Sequence, residues 1–320
     1  MGSALAMWHY CKERLRLPEH GPAAPDRTQT IIVPNAFPAF LGWMPGAEEI
    51  RIYEQKAQEC DKLIAEADLI ICTDFNDPKR IGPMGEKMIA NGCKKILIDH
   101  HIMDRPADGL WTEVHSHPEA SSACEIVYRL LDRLTLTEDI ATCIYTGLMT
   151  DTGNFSYNSN NPEIYEIVAS LLRAGAKKDE IYDRVFNQYS TDRMRLTGYA
   201  LYRKMRIFPE HHLALITLTA SELEQYHYKQ GDCEGLVNMP LQIGDVFYSV
   251  FMREERPKPG TPKPRIRISF RSQGDRPVNI WASEVFHGGG HMNASGGELF
   301  GSLEQAVKLF ENTYKNYLKQ

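Results

Sequence analysis

Through the first half of the chain, short apolar runs alternate with amphipathic stretches. Ile31-Ile32-Val33, Leu69-Ile70-Ile71-Cys72 and Ile96-Leu97-Ile98 are runs rich in β-branched residues, the mark of buried strands in a parallel sheet. The second and third read as strands over 68–74 and 95–99. Between and after them the pattern predicts helices over 3–15, 53–67, 83–91, 123–134, 137–149 and 163–173. Ser3 is a candidate N-cap of the first, Asp77 is expected to cap the helix that follows it from about Lys79, and Ser121 or Ser122 caps the fourth. Gly92 and Gly175 are read as glycine stops. Residues 34–52 carry Pro38, Gly42, Pro45 and Gly46 and are expected to be an irregular connection. The aromatics inside it, Phe37, Phe40 and Trp43, are expected to pack into the core.

Residues 177–188 and 191–206 read as helices joining two domains. Beyond them the character changes. Runs at 213–218, 246–252 and 266–271 are strands, the last two a pair joined across a proline-rich tip at 256–264. A helix over 278–286 leads into Gly288-Gly289-Gly290-His291, and an amphipathic helix over 303–318 closes the chain. The expected fold is α/β: a parallel-sheet N-terminal domain over 1–175, a helical linker over 176–205, and a smaller α/β domain with a mixed sheet over 206–320.

Composition narrows the function. A chain of 320 residues holds two ordinary domains, and its net charge of −6 excludes a molecule that binds nucleic acid by overall charge. Any nucleotide contact must come from a local basic patch or a metal. The seven cysteines are odd in number and lack CxxC spacing, which argues against a disulfide framework and for a reducing, cytoplasmic location. No signal peptide and no membrane-spanning run is evident.

The candidate chemistry sits where the apolar runs end. Asp74 follows one strand, Asp99-His100-His101 end another, and Asp151 follows a largely apolar helix. Ligands of open α/β sheets collect outside the carboxyl ends of strands. Three acids with two imidazoles suit Mn²⁺ or Mg²⁺ better than a sulfur-seeking metal. His115 and His117 are nearby and are expected to be loop residues rather than ligands.

Asp74, Asp99-His100-His101 and Asp151 resemble the second, third and fourth motifs of the DHH phosphoesterase family. Gly288-Gly289-Gly290-His291, continuing through Asn293-Ala294-Ser295-Gly296, resembles the GGGH signature of the family's associated C-terminal domain. Order and separation are similar to those of the branch of oligoribonucleases that also dephosphorylate 3′-phosphoadenosine 5′-phosphate. The resemblance implies a two-metal site, Mn²⁺ first with Mg²⁺ or Co²⁺ as substitutes. Asp74 would bridge the metals, with His100 and Asp151 as further ligands. Asp99 would orient His100, and His101 would face the scissile phosphate. Arg271 and Ser272, with Gly288, Gly289, Gly290 and His291, would hold the substrate's phosphate in a pocket between the domains. The implied substrates are short RNA oligonucleotides and phosphorylated adenosine nucleotides. The resemblance leaves a homodimer open.

The family's first motif supplies a His and two Asp, and this chain reads as opening just after them. The expectation from that departure is weak metal binding and slow turnover. Two alternatives stand beside the nuclease reading: a phosphodiesterase of linear or cyclic dinucleotides, and a catalytically impaired nucleotide-binding protein.

Overall fold

The computed structural model describes residues 1–14, 28–102, 109–256 and 263–318. The chain divides into two units, Met1–Gln188 and Tyr189–Gln320. The expected helical connector is thereby shared between the two. Leu15, most of the Pro- and Gly-bearing loop expected over 17–30 and residues 257–262 of the proline-rich tip lie outside the described residues.

The first unit opens with helix α1 (Gly2–Arg14) and a parallel strand pair, β1 (Ile31–Val33) with β2 (Ile50–Ile52). Next come α2 (Ala57–Glu66), β3 (Leu69–Thr73), α3 (Pro83–Ala90), β4 (Lys94–Asp99) and β5 (Glu113–Ser116). Strands β3, β4 and β5 form a parallel sheet in that order. Helices α4 (Ala123–Leu130), α5 (Glu138–Asp151), α6 (Pro162–Arg173) and α7 (Lys178–Phe186) complete the unit. Side chains cap the starts of α4, α5 and α6, and Ser122 is one of the two caps the sequence suggested for α4. Ser122, Thr137 and Asn161 each accept a backbone N–H of the first turn.

Helix α5 is the unit's central member. Ile140, Ile144, Tyr145, Leu148 and Met149 are all fully buried, so the helix is apolar on more than one face. It packs against α1, α4 and α6. Glycine makes the closest of these approaches possible. A Cβ at Gly147 would stand 2.1 Å from the Cys124 Sγ on α4.

Several local expectations need correction. Ser3 is a buried residue inside α1 rather than its cap. Strands β2 and β5 were not expected. Ile-Arg-Ile and Glu-Val-His-Ser are too short and too polar to stand out as a pattern. Helix α2 starts at Ala57 rather than 53. Helix α3 ends through Asn91, which is extended at φ −72°, and not through a left-handed Gly92. The Asn91 amide donates to the carbonyls of Ile64 (2.5 Å) and Ala67 (3.2 Å), so one side chain closes the end of α2 as well. Helix α4 stops at Leu130, and a 3₁₀ turn over Arg133–Thr135 follows it.

The second unit is built on a six-stranded sheet. Helix α8 (Thr191–Tyr199) runs into a π turn and β6 (Met205–Phe208). Then come β7 (Leu213–Leu218), α9 (Ala220–Gln225), β8 (Tyr248–Glu255), β9 (Arg265–Ser272), α10 (Asn279–Phe286), β10 (Gly289–His291), β11 (Ala294–Phe300) and α11 (Leu303–Tyr317). The strand order is β10-β11-β9-β8-β7-β6, antiparallel except for the parallel neighbours β7 and β8. Period-2 alternation decides the faces. Ile266, Ile268 and Phe270 of β9, with Tyr248, Val250 and Met252 of β8, join Trp281, Phe286 and Phe310 in one core. Phe251 and Ile216 turn to the other face and pack with Leu196, Leu223 and Leu236. The β10–β11 hairpin was not expected, because its glycines hide a strand pattern. Among the described residues, no helix is long and apolar enough to cross a membrane.

Candidate active site

Parallel pairing carries the chemistry of the first unit to one edge. In the register of β3 and β4, Thr73 faces Ile98, and the Asp74 N–H donates to the Ile98 carbonyl at 2.9 Å. Asp74 and the run from Asp99 to His101 therefore leave the same end of the sheet. Asp74 itself is left-handed at φ 69°, a conformation costly for a residue with a side chain and common where function holds it. Helix α5 ends at Asp151 and brings a second carboxylate to the place.

Ligand atoms of Asp74, His100 and Asp151 lie within 4.8 Å of one another. The His100 Nε2 stands 3.5 Å from the Asp74 Oδ1. His100 is buried, and its Nδ1 meets the Ala120 carbonyl at 3.3 Å. A carbonyl only accepts, so Nδ1 carries the proton and Nε2 is left with its lone pair in the neutral ring. Asp99 is fully buried, and its Oδ1 accepts from the His101 Nδ1 at 2.8 Å. This corrects the expected pairing, since Asp99 orients His101 and not His100. The other Asp99 oxygen is buried with no hydrogen-bond partner.

The electrostatics are those of a carboxylate pair waiting on positive charge. Burial, and then the charge of Asp74, push the Asp151 carboxyl up to about 7. It also sits at the carbonyl end of α5, where the helix dipole disfavours a negative group. Burial would raise Asp74 too, but the adjoining His100 outweighs it and holds Asp74 below the usual carboxylate range. Burial would depress His100, yet Asp74 and Asp151 beside it raise the ring. Both carboxylates line a pocket of about 80 Å³ with Cys124, Thr146 and Thr150. The donor set of two carboxylates and one imidazole fits a hard or borderline divalent cation.

A strained turn supports Asp151 from behind. Gly153, Asn154 and Phe155 are consecutive left-handed residues at φ 55°, 57° and 60°. The Thr152 hydroxyl closes the turn by accepting the Phe155 N–H at 2.9 Å, and Phe155 packs against the rings of Tyr145 and Tyr165. His115 and His117 stand apart from the cluster. Each is bonded to a nearby acid, Glu113 and Glu119 respectively.

The remaining predicted residues belong to the second unit. His291, Ala294 and Arg271 occupy one rung across β10, β11 and β9, so the imidazole and the guanidinium rise from the same face about two strand spacings, roughly 10 Å, apart. Ser272 points to the opposite face. It is buried, and its hydroxyl donates to the Arg276 carbonyl and accepts from Asn293, so the structure does not bring it to Arg271. The three glycines also differ. A Cβ at Gly288 would lie 1.8 Å from the Gly296 carbonyl oxygen, and one at Gly290 would lie 2.6 Å from that of Ala294. Gly289 has nothing within 4 Å. Two of the glycines therefore serve hairpin packing, and the third leaves open space.

Sequence reasoning missed Ala120 and Glu125 as partners of the site. The signal was present in Ser122-x-x-Glu125, a spacing that normally marks a reciprocal cap. Here the glutamate reaches Ser121 instead.

The chain is similar to known proteins. Residues 1–148 match the model of the DHH family, N-terminal domain. The chain is 29% identical over 278 residues to the "Bifunctional oligoribonuclease and PAP phosphatase NrnA" of Thermus thermophilus, covering 85% of this chain and 75% of that protein. It is 25% identical over 257 residues to the Bacillus subtilis protein of the same name, covering 78% and 76%. A crystal structure of an exopolyphosphatase-related protein from Bacteroides fragilis superposes with a TM-score of 0.87 at 45% identity, covering 99% of this chain and 88% of that one. With Asp99-His100-His101 at the end of its parallel strand, the chain belongs to the DHH family and is a phosphoesterase of the DHH type.

Proposed function

We propose that the protein is a divalent-metal-dependent phosphoesterase that hydrolyses short oligoribonucleotides to mononucleotides and removes the 3′-phosphate of 3′-phosphoadenosine 5′-phosphate. The observation that carries the reading is the convergence of Asp74, His100 and Asp151 within 4.8 Å. The names of the relatives from Thermus thermophilus and Bacillus subtilis support the choice of substrates.

In this reading Asp74, His100 and Asp151 hold Mn²⁺, with Mg²⁺ or Co²⁺ as substitutes. The metal would supply charge for the phosphate oxygens and an activated water at neutral pH. Asp99 holds the His101 ring through Nδ1, and in this reading the ring would meet a phosphate oxygen through Nε2. In the second unit, Arg271 and His291 would contact a terminal phosphate, the guanidinium as a fork of donors. Gly289, whose open side no Cβ fills, would let a phosphate approach the backbone.

The test is release of mononucleotide from a labelled two- to five-residue RNA, and of adenosine monophosphate from 3′-phosphoadenosine 5′-phosphate. Both should require Mn²⁺ and be lost in Asp74→Asn. Turnover of neither substrate, with hydrolysis of a cyclic or linear dinucleotide or of inorganic polyphosphate instead, would overturn the substrate assignment.

A further inference from the structure

The loop that carries Ala120 is held from two sides. The His117 N–H donates to the Asp99 carbonyl at the end of β4 (3.0 Å) and the His117 carbonyl accepts the Ala120 N–H (2.9 Å), while Glu125 holds the peptide that follows Ala120. Glu125 is 3% exposed, and its Oε2 accepts from both the Ser121 backbone N–H (2.7 Å) and the Ser121 hydroxyl (2.6 Å). Its Oε1 accepts from Arg129 at 2.5 Å, and Arg129 also reaches Glu163 at 2.9 Å. A buried carboxylate that accepts three donors is strongly placed. Ser121 follows Ala120 directly, so these bonds set the peptide whose carbonyl takes the His100 Nδ1 proton.

We infer that Glu125 is a positioning residue: through Ser121 and the Ala120 carbonyl it selects the His100 tautomer that presents the Nε2 lone pair beside Asp74 and Asp151. Imidazole ligands generally need such a partner on the second nitrogen, and its loss typically costs 10- to 100-fold in metal affinity. Without the carbonyl in place, the ring is free to protonate Nε2, which removes the donor atom. A capping role alone does not need this arrangement, because Ser122 already caps α4 by accepting the Glu125 N–H at 3.2 Å.

The inference rests on reading His100 as a metal ligand, and the test separates the two. The full chain, labelled with ¹⁵N-histidine, is examined free of metal at alkaline pH by long-range proton–nitrogen NMR, with His100→Gln to assign the signal. Mn²⁺ affinity is measured on the same variants. Wild type should show the Nδ1–H form of His100. Glu125→Ala should show a mixture and bind Mn²⁺ at least about tenfold more weakly. Glu125→Gln, which keeps an oxygen for Ser121, should retain the tautomer and bind within about threefold of wild type. Arg129→Met breaks the ion pairs but spares Ser121. It should lower the melting temperature while leaving tautomer and affinity unchanged. If Glu125→Ala does not fold, Ser121→Ala, which deletes one of the two bonds, is read in its place. An unchanged tautomer in the Ala variant, or an equal shift in Arg129→Met, overturns the inference and leaves Glu125 a stability element. A wild type that holds the tautomer but binds no Mn²⁺ contradicts the metal reading instead.

Discussion

The His100 Nε2 and the Asp74 Oδ1 stand 3.5 Å apart, although 26 positions separate the two residues in the chain. The parallel register of β3 and β4 makes them neighbours, and Asp151 meets them from the end of α5. The cost of that meeting is visible in Asp151, whose carboxyl burial and Asp74 push up to about 7. Its folded value lies above its unfolded one. The metal-free fold therefore loses stability as pH rises from about 4 through about 7, and metal binding strengthens over the upper part of the same window as the proton leaves. Asp151→Asn should raise the metal-free melting temperature at pH 8 by a few degrees while removing the gain from added Mn²⁺. Differential scanning calorimetry with and without Mn²⁺ reads both effects. A variant less stable than wild type at pH 8 would contradict the like-charge account.

The turn behind Asp151 makes a second prediction. Gly153 has φ 55°, and a Cβ there would stand 2.2 Å from the Tyr157 ring. Gly153→Ala should destabilise the first unit by about 1–3 kcal/mol and displace the end of α5. Urea unfolding followed by tryptophan fluorescence measures the loss. A midpoint unchanged from wild type would mean that Tyr157 swings aside without cost.

In the second unit, Glu222 accepts from Lys204 (2.7 Å), from the Tyr199 hydroxyl (2.6 Å) and from the Thr219 N–H (2.8 Å). Burial opposes its charge, but these bonds outweigh burial and hold the carboxyl down at about 2. A depressed value stabilises the fold above the ordinary glutamate range, and that stability drains away as pH falls from about 4.5 toward 2. Glu222→Gln should therefore be less stable than wild type at pH 7, with the gap closing below pH 4. A gap independent of pH would assign the effect to packing.

The glycine run divides cleanly. Gly289→Ala should fold as wild type but raise the KM for a phosphorylated substrate. Gly290→Ala, at φ 139° and against the Ala294 carbonyl, should destabilise the β10–β11 hairpin. Hydrogen exchange of the hairpin amides, set beside substrate kinetics, distinguishes the two. Equal behaviour of the variants would refute the division.

Much of this was legible in the sequence, and the reasons are local. Ile96-Leu97-Ile98 announces a buried strand, and the acids and imidazoles at strand ends announce a site, because a parallel sheet gathers its strand ends by construction. Strands β7 to β9 and helices α10 and α11 were largely readable for the same reason, a clear period and clear stops, whereas β6 lies where a helix over 191–206 was expected. What could not be read depends on contacts distant in sequence. Which histidine Asp99 would choose follows from side-chain directions at the end of β4, not from adjacency. That Ser272 is buried on the face away from Arg271 and bonded there is fixed by Asn293, which reaches it from 21 positions along the chain. That Gly288 and Gly290 serve packing while Gly289 does not emerges only when Gly296 and Ala294 lie against them.

The most direct test of the central claim is Mn²⁺ binding, followed by electron paramagnetic resonance in wild type, Asp74→Asn, His100→Gln and Asp151→Asn. Wild type should give a bound-Mn²⁺ signal, and each variant a Kd at least about tenfold higher. The same Kd in wild type and all three variants would place any metal elsewhere and contradict the assignment of Asp74, His100 and Asp151 as its ligands.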